Sequence, residues 1–298
     1  MNKCIVCNNP NLNSFKFNHI ILKDCQKVVC ERCKHFSYES DMSDKEFITA
    51  YIANSASKFV NKDQINILQK SYWLNLSRFQ MIKNYLHANS ETVNVLEIGP
   101  GFPGLSYFWS NSKFNYKMYI SEPDLSKQKL FKESFSKISF FDIDKIDSKN
   151  YLEKFNNYFD VIILNNVFYY FKNPGNTISH LKKISRKHGV IFIDILNPKY
   201  VDKDYEKKID MRHVFNKNSL KTLFNNYNFT TLFLDYFDTD QKNILNQNSK
   251  EISFFDKILY KFLRMVRADL MVNLTINDTS SNFSNKDGMY LRGIFEND

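Results

Sequence analysis

Two pairs of cysteines stand near the start of the chain, Cys4-x2-Cys7 and Cys30-x2-Cys33. Each C-x2-C pair fits a tight turn, and two such pairs place four thiolates around one tetrahedral Zn2+. Four thiolates leave no open coordination position, so the role read for the metal is structural. A second group lies at 95–104, Val-Leu-Glu-Ile-Gly-Pro-Gly-Phe-Pro-Gly. The chain has 7 glycines in 298 residues, and Gly99, Gly101 and Gly104 fall within six positions. A strand that runs into such a turn and then into a helix is where a nucleotide-like ligand meets the backbone. Glycine permits both the sharp turn and the close approach. Glu97 precedes the turn, and Glu122 ends the next strand roughly 20 residues on, where an acid can take ribose hydroxyls. Asp142 follows the third strand. The G-x-G-x-x-G spacing by itself also suits a dinucleotide.

Strands and helices must position these groups. The first 40 residues hold all five cysteines and little periodic pattern. Their long gap contains a hairpin pattern, SFKFNHIIL then QKVVC. A small lobe of this kind gains its folding energy from the metal. Cys25 is left over, and His19 and His35 are spare nitrogen donors beside two complete pairs. Ser43-Asp-Lys-Glu46 is a capping box that opens a helix. A longer helix is predicted over about 62–88, with Ile65, Leu68, Tyr72, Leu76, Phe79, Ile82 and Leu86 at helical spacing. From about 93 the pattern alternates. Strands are predicted at 93–99, 116–122, 138–142, 159–166, 189–196, 229–237 and 289–296. Helices are predicted at 103–112, 125–136, 174–187 and 216–227. This alternation argues for an α/β, doubly wound, mostly parallel sheet. The organisation expected is a zinc-ribbon lobe (1–40), a helical lead-in or cap (41–92) and a ligand-binding domain (93–298). That domain carries a basic amphipathic helical insertion at about 251–272.

Composition narrows the partners. The net charge is +9, from 41 basic and 32 acidic residues. Only 7 of the basic residues are arginine, the better phosphate reader. The lysines are scattered, so the charge reads first as a solvated surface rather than a nucleic-acid face. No stretch reaches the ~18 apolar residues of a membrane span. The opening MNKCIVCNNP lacks the apolar core of a signal peptide, so a cytoplasmic location is expected, and with it reduced thiols rather than disulfides. The oligomeric state is open.

The acid-x-Gly-x-Gly opening at Glu97-Ile-Gly99-Pro-Gly101, backed by Glu122 and Asp142, resembles the class I S-adenosylmethionine-dependent methyltransferases. The stretches FDVIILNNVFYYFKNP, ISHLKKISRKHGVIFIDILNP and HVFNKNSLKTLFNNYNFTTLFLDYF are similar to the same family, so that the resemblance covers about 45–240. It implies a Rossmann-like sheet of seven strands, the last antiparallel, with S-adenosylmethionine as cofactor. Carried over by position, Glu97 organises the glycine turn and the methionine ammonium, and Gly99 and Gly101 pass under the cofactor. Glu122 takes the ribose, Asp142 sits near the adenine amino group, and Asn165 lies beside the transferred methyl. Where relatives often carry Glu-His after the fourth strand, this chain has Tyr169-Tyr170.

Candidate catalytic groups are therefore His213, Tyr169 and Tyr170. Arg212 is a candidate for an acceptor phosphate, Tyr51 for covering the cofactor, and His180 for plain helix surface. The cysteine lobe resembles that of methyltransferases of deoxysugar and surface-polysaccharide pathways. That implies a small-molecule acceptor, a sugar nucleotide or glycan precursor, methylated on oxygen. The alternatives are an rRNA or tRNA methyltransferase and a non-catalytic partner protein of the same fold.

Overall fold

The computed structural model describes residues 3–56, 64–86, 92–145, 148–200, 210–237 and 289–298. The helix expected at about 251–272 lies outside these residues. The N-terminal lobe is built on β1 (Leu12–His19), β2 (Lys23–Cys30) and β3 (Phe36–Glu39). β1 and β2 form the expected antiparallel hairpin, in register from Leu12 opposite Cys30 to His19 opposite Lys23. Next come α1 (Asp44–Ala56) and α2 (Gln64–Asn84). The capping box of α1 forms as predicted. The Ser43 backbone N–H donates to Glu46 Oε2 at 2.8 Å, and the Glu46 N–H donates to Ser43 Oγ at 3.2 Å. On α2, Leu76, Phe79 and Ile82 are buried at helical spacing, again as predicted.

The second half alternates strand and helix: β4 (Val93–Ile98), α3 (Gly104–Ser110), β5 (Tyr116–Ser121), α4 (Leu125–Ser134), β6 (Ile138–Phe140), α5 (Lys149–Phe155), β7 (Phe159–Asn165), α6 (Pro174–Ile184), β8 (Ser185–Leu196), β9 (His213–Val214), α7 (Lys217–Asn225), β10 (Phe229–Phe237) and β11 (Tyr290–Asn297). Seven strands make one sheet in the order β10-β11-β8-β7-β4-β5-β6. β4 is parallel to both of its neighbours, β5 and β7, whereas β11 is antiparallel to β8 and β10. All six residues of β4 are buried, as a central parallel strand covered on both faces requires. The strand order reverses between β4 and β7, which opens a crevice beyond their carboxyl ends.

Three features differ from the sequence reading. The helix expected to run to 187 stops at Ile184, and β8 starts at once. There Ser185 pairs with Phe159, and its carbonyl accepts from Asn297 Nδ2, so long-range partners override a helix-compatible polar run. α5 carries too few apolar positions to be read from pattern. β9 is only two residues long and has no periodicity to detect. It pairs with β3, placing Val214 opposite Phe36 and His213 opposite Ser37. The lobe's sheet therefore takes its fourth strand from a segment some 175 residues downstream, in the order β1-β2-β3-β9. Further bonds fasten the same seam. Tyr38 N–H donates to the Arg212 carbonyl at 2.8 Å, Asn216 Nδ2 to the Cys33 carbonyl at 3.0 Å, and Asn226 Nδ2 to the Val6 carbonyl at 2.8 Å.

Candidate active site

At the carboxyl ends of β4, β5, β6 and β7 lies a cleft of about 840 Å3. Gly99, Gly101, Glu122, Asp142, Tyr51 and Tyr170 all contribute to its wall. Gly99 and Gly101 adopt φ of +61° and +64°, the left-handed region that favours glycine. A Cβ on Gly101 would meet nothing within 4 Å, so the turn leaves open space beside it. A Cβ on Gly99 would lie 2.7 Å from Val167 Cγ2, in the loop after β7. Gly104 has a different task. It opens α3 against α2, where a Cβ would overlap the Asn75 amide, so the third glycine serves helix packing rather than the cleft.

Glu122 is fixed by the turn it serves. Gly101 N–H donates to Oε2 at 2.9 Å and Asp124 N–H donates to Oε1 at 3.0 Å. Burial raises its pKa, and the two amides and the Lys127 charge pull the other way. A carboxylate held by two backbone amides at a cleft wall retains lone pairs for paired hydroxyl donors. Gly99→Ala combines a left-handed Cβ with the Val167 clash. The expected loss is about 2–4 kcal/mol of stability and at least a tenfold loss of cofactor affinity. Thermal unfolding and calorimetry check this, and a melting temperature within about one degree of the parent would contradict it.

Glu97 lies one layer below the cleft. It is 1% exposed, and Ser106 Oγ donates to its Oε2 at 3.4 Å. Burial pushes its pKa up to about 8; Ser106 and the charge of Arg78 counter only part of this. Arg78 is already engaged, its Nε 2.6 Å from Asp194 Oδ2, which also takes Arg292 Nε at 3.0 Å. The unfolded glutamate ionises near 4.5, so folding takes up a proton between pH 4.5 and about 8. Stability contributed by the neutral carboxyl is whole below pH 4.5 and is lost as pH rises to about 8. Glu97→Gln should remove that slope and raise the melting temperature at pH 8 by several degrees, for a difference of about 4 kcal/mol. Parallel melting curves for the two proteins from pH 5 to pH 9 would contradict it.

The remaining residues are placed unevenly. Asp142 lines the cleft and pairs with Lys145 at 3.0 Å. Asn165 does not line it. The next residue, Asn166, at φ +53°, does so instead and donates from Nδ2 to Asn165 Oδ1 at 3.4 Å. Tyr51 and Tyr170 face the cleft with ring centroids 4.8 Å apart. Tyr169 is buried behind Tyr170, edge-on at 4.6 Å. His180, expected to be plain helix surface, stands at the cleft rim. Asp44, Gln128 and Asn173 also line the wall and carry no motif that would mark them in the sequence.

His213 corrects the sequence reading. It is 2% exposed on β9 and is absent from the cleft wall. Its Nδ1 lies 3.3 Å from His35 Nε2, its Nε2 lies 3.4 Å from the Lys172 carbonyl, and the two imidazoles stack at 5.3 Å. Burial pushes its pKa down to about 4. The ring thus stands in the lobe seam, outside the cleft where the sequence reading expects a base. Arg212 is likewise occupied. It donates to the Met42 and Ser43 carbonyls at 3.0 and 2.9 Å and covers the Phe47 ring at 4.4 Å, in the seam and outside the cleft wall.

In the lobe, the four sulfurs of Cys4, Cys7, Cys30 and Cys33 all lie within 4.8 Å of one another. Cys4 and Cys33 are 3.7 Å apart, and Cys7 and Cys30 are 3.5 Å apart. A tetrahedron with Zn–S bonds of ~2.3 Å has edges of about 3.8 Å, so the donor set fits zinc in both element and size. Val6 N–H and Asn9 Nδ2 approach the Cys4 and Cys30 sulfurs at 3.4 and 3.7 Å, the outer hydrogen bonds expected around thiolates. The Cys33 thiol holds Cys4 down to about 5, while burial pushes Cys7 up. Cys25 is buried on β2, away from this cluster.

A sequence profile described as a methyltransferase domain matches residues 72–233, more than half of the chain. No curated protein matches it in sequence. Among solved structures, a chain of the Haloferax volcanii complex between the methyltransferase activator Trm112 and a methyltransferase is similar, with a TM-score of 0.51 and 10% identity over 80% of this chain and 99% of that one. An S-adenosylmethionine-dependent methyltransferase from Archaeoglobus fulgidus gives 0.47 and 13% over 76% and 94%. One from Mesorhizobium loti gives 0.47 and 12% over 74% and 97%. At 10% identity the likeness to the first of these is one of fold. Among the described residues, no helix is long and apolar enough to cross a membrane.

Proposed function

Because the chain belongs to the methyltransferase-domain family, we propose that it moves the methyl group of S-adenosylmethionine onto a small acceptor in the cleft above β4 and β5. It is an S-adenosylmethionine-dependent methyltransferase. The cofactor supplies a methyl carbon already activated by its sulfonium, so the chain's task is to hold donor and acceptor in line. Glu122 receives the ribose hydroxyls, the Gly99–Gly101 turn underlies the methionine end, and Asp142 lies toward adenine. Tyr51 and Tyr170 form the wall facing the acceptor, which is a hydroxyl of a sugar nucleotide or glycan precursor. The zinc in the four-cysteine cluster is structural and locks the lobe that grips β9 and the start of α1.

The observation that supports this best is Glu122, whose two carboxylate oxygens are each fixed by a backbone amide at the cleft wall. Calorimetry with S-adenosylmethionine and S-adenosylhomocysteine, followed by methylation of nucleoside-diphosphate hexoses read by mass, tests the reading. Binding at micromolar levels with a mass gain of one methyl supports it. No binding at near-millimolar cofactor would sink it and leave the non-catalytic partner reading. Methylation of RNA alone, with steep salt dependence, would transfer the activity to the RNA alternative.

A further inference from the structure

Methyl transfer changes the charge at sulfur. The donor carries a sulfonium cation, and the spent product carries a neutral thioether in the same place. A site that holds both equally well is readily blocked by its own product. The cleft wall holds a pair of rings that can tell the two apart. A Cβ on Gly99 would lie 2.7 Å from Val167 Cγ2, so the loop after β7 rests against the glycine turn. Tyr170 N–H donates to the Val167 carbonyl at 2.9 Å, which sets Tyr170 a single turn further along that loop. Its ring centroid lies 4.8 Å from that of Tyr51 on α1. Gly99, Val167, Tyr170 and Tyr51 all line the cleft.

Neighbouring side chains hold the rings in place. Tyr169 packs edge-on against Tyr170 with centroids 4.6 Å apart, and the Phe47 ring lies 6.0 Å from Tyr170 on another side. Both Tyr51 and Tyr170 are half-buried, and burial raises the pKa of each phenol. They stay protonated at neutral pH and offer ring faces rather than a base. The face of a neutral ring carries negative quadrupole density and attracts a poorly hydrated cation. The two lysines among the described wall residues are each engaged. Lys172 Nζ donates to the Asp41 carbonyl at 3.1 Å, and Lys127 Nζ lies 3.6 Å from Asp124 Oδ2. Asp44 and Glu122 bring carboxylates to the same wall.

We propose that the rings of Tyr51 and Tyr170 form an aromatic wall toward the donor's sulfonium, favouring the charged methyl donor over its neutral product. This rests on the reading of the cleft given under Proposed function. There the ribose sits on Glu122, at the end of β5, and the methionine end on Gly99 and Gly101, at the end of β4. Sulfur joins those two parts of the cofactor, and the loop that carries Tyr170 rests against the Gly99 end. In the transfer the methyl leaves without the S–CH3 electron pair, which stays on sulfur as a lone pair. The positive charge is gone, and with it the attraction to the rings. Tyr51 and Tyr170 thus determine specificity through their ring faces, and their hydroxyls are not needed for it.

The test is calorimetry with S-adenosylmethionine and S-adenosylhomocysteine on the parent, Tyr170→Phe, Tyr170→Leu and Tyr51→Leu, with melting curves to confirm folding. The readout is the ratio of the two Kd values, which cancels packing lost to both ligands alike. Tyr170→Leu and Tyr51→Leu should each move that ratio against the methyl donor by about 5- to 30-fold. Tyr170→Phe keeps the ring and should hold the ratio within about twofold. A ratio unchanged in both leucine variants overturns the aromatic wall and leaves the cofactor site standing. So does a Tyr170→Phe ratio that moves as far as that of Tyr170→Leu, since the hydroxyl would then carry the preference. Should Tyr170→Leu fail to fold, Tyr51→Leu decides. A parent that binds neither ligand overturns the wall together with the proposed function.

Discussion

Replacing Glu122 with alanine should weaken S-adenosylmethionine binding by at least about 100-fold while the protein remains folded. Two charge-assisted hydrogen bonds to a diol are worth about 1.5–3 kcal/mol each, and every 1.4 kcal/mol is tenfold in Kd. The loss also frees the Gly101 and Asp124 amides, which hold the carboxylate at 2.9 and 3.0 Å, so the turn beneath the methionine end loosens together with the ribose site. Glu122→Gln keeps the volume and one acceptor oxygen and should lose less, about 10- to 30-fold. The sign with pH follows from the same geometry. Burial raises the Glu122 pKa, and the ribose donors require the ionised form, so affinity should fall on acidification through that raised value. Calorimetry of the three proteins at neutral and acidic pH measures both effects. Equal affinity for the parent and Glu122→Ala would show that the ribose lies elsewhere.

The second large effect is expected at the cysteine cluster. Structural zinc contributes about 10–16 kcal/mol of apparent binding free energy at neutral pH, more than a small lobe can spare. Chelation, or Cys30→Ser, should therefore unfold the lobe and release what it holds. The β3–β9 pairing goes first, and with it Arg212, which donates to the Met42 and Ser43 carbonyls at the start of α1. α1 carries Tyr51 and Asp44 into the cleft wall, so methyl transfer should fall by more than about tenfold. The Gly99–Glu122 side stands on β4 and β5 and should retain most of its cofactor affinity. Elemental analysis should give one zinc per chain in the parent, and circular dichroism should report strand loss on chelation. A metal-free protein with an unchanged spectrum and unchanged turnover would contradict the structural role.

The sequence was most informative where chemistry is local. Cys4, Cys7, Cys30 and Cys33 could be read because ligand spacing is set by turn geometry. Gly99, Gly101 and Glu122 could be read because a strand, a turn and the next strand lie close in sequence. The capping box at Ser43 and the buried stripe Leu76, Phe79 and Ile82 follow from helical geometry alone. Two placements depend on contacts that the sequence does not announce. His213 stands in the seam with its partner, His35, 178 residues away. At the end of β7, where Asn165 is expected beside the transferred methyl, Asn166 and not Asn165 lines the cleft. The glycine-turn side of the cleft is thus built from local signals, whereas the side that carries Tyr51 and Tyr170 is assembled by contacts between distant segments.

The central claim is that S-adenosylmethionine lies across the glycine turn with its ribose on Glu122. A crystal structure of the protein with S-adenosylhomocysteine bound tests it directly. The account predicts both ribose hydroxyls on the Glu122 carboxylate, the amino-acid end over Gly99 and Gly101, and the sulfur facing Tyr51 and Tyr170. A nucleoside seated away from Glu122, or a cleft that stays empty at saturating ligand, would contradict it.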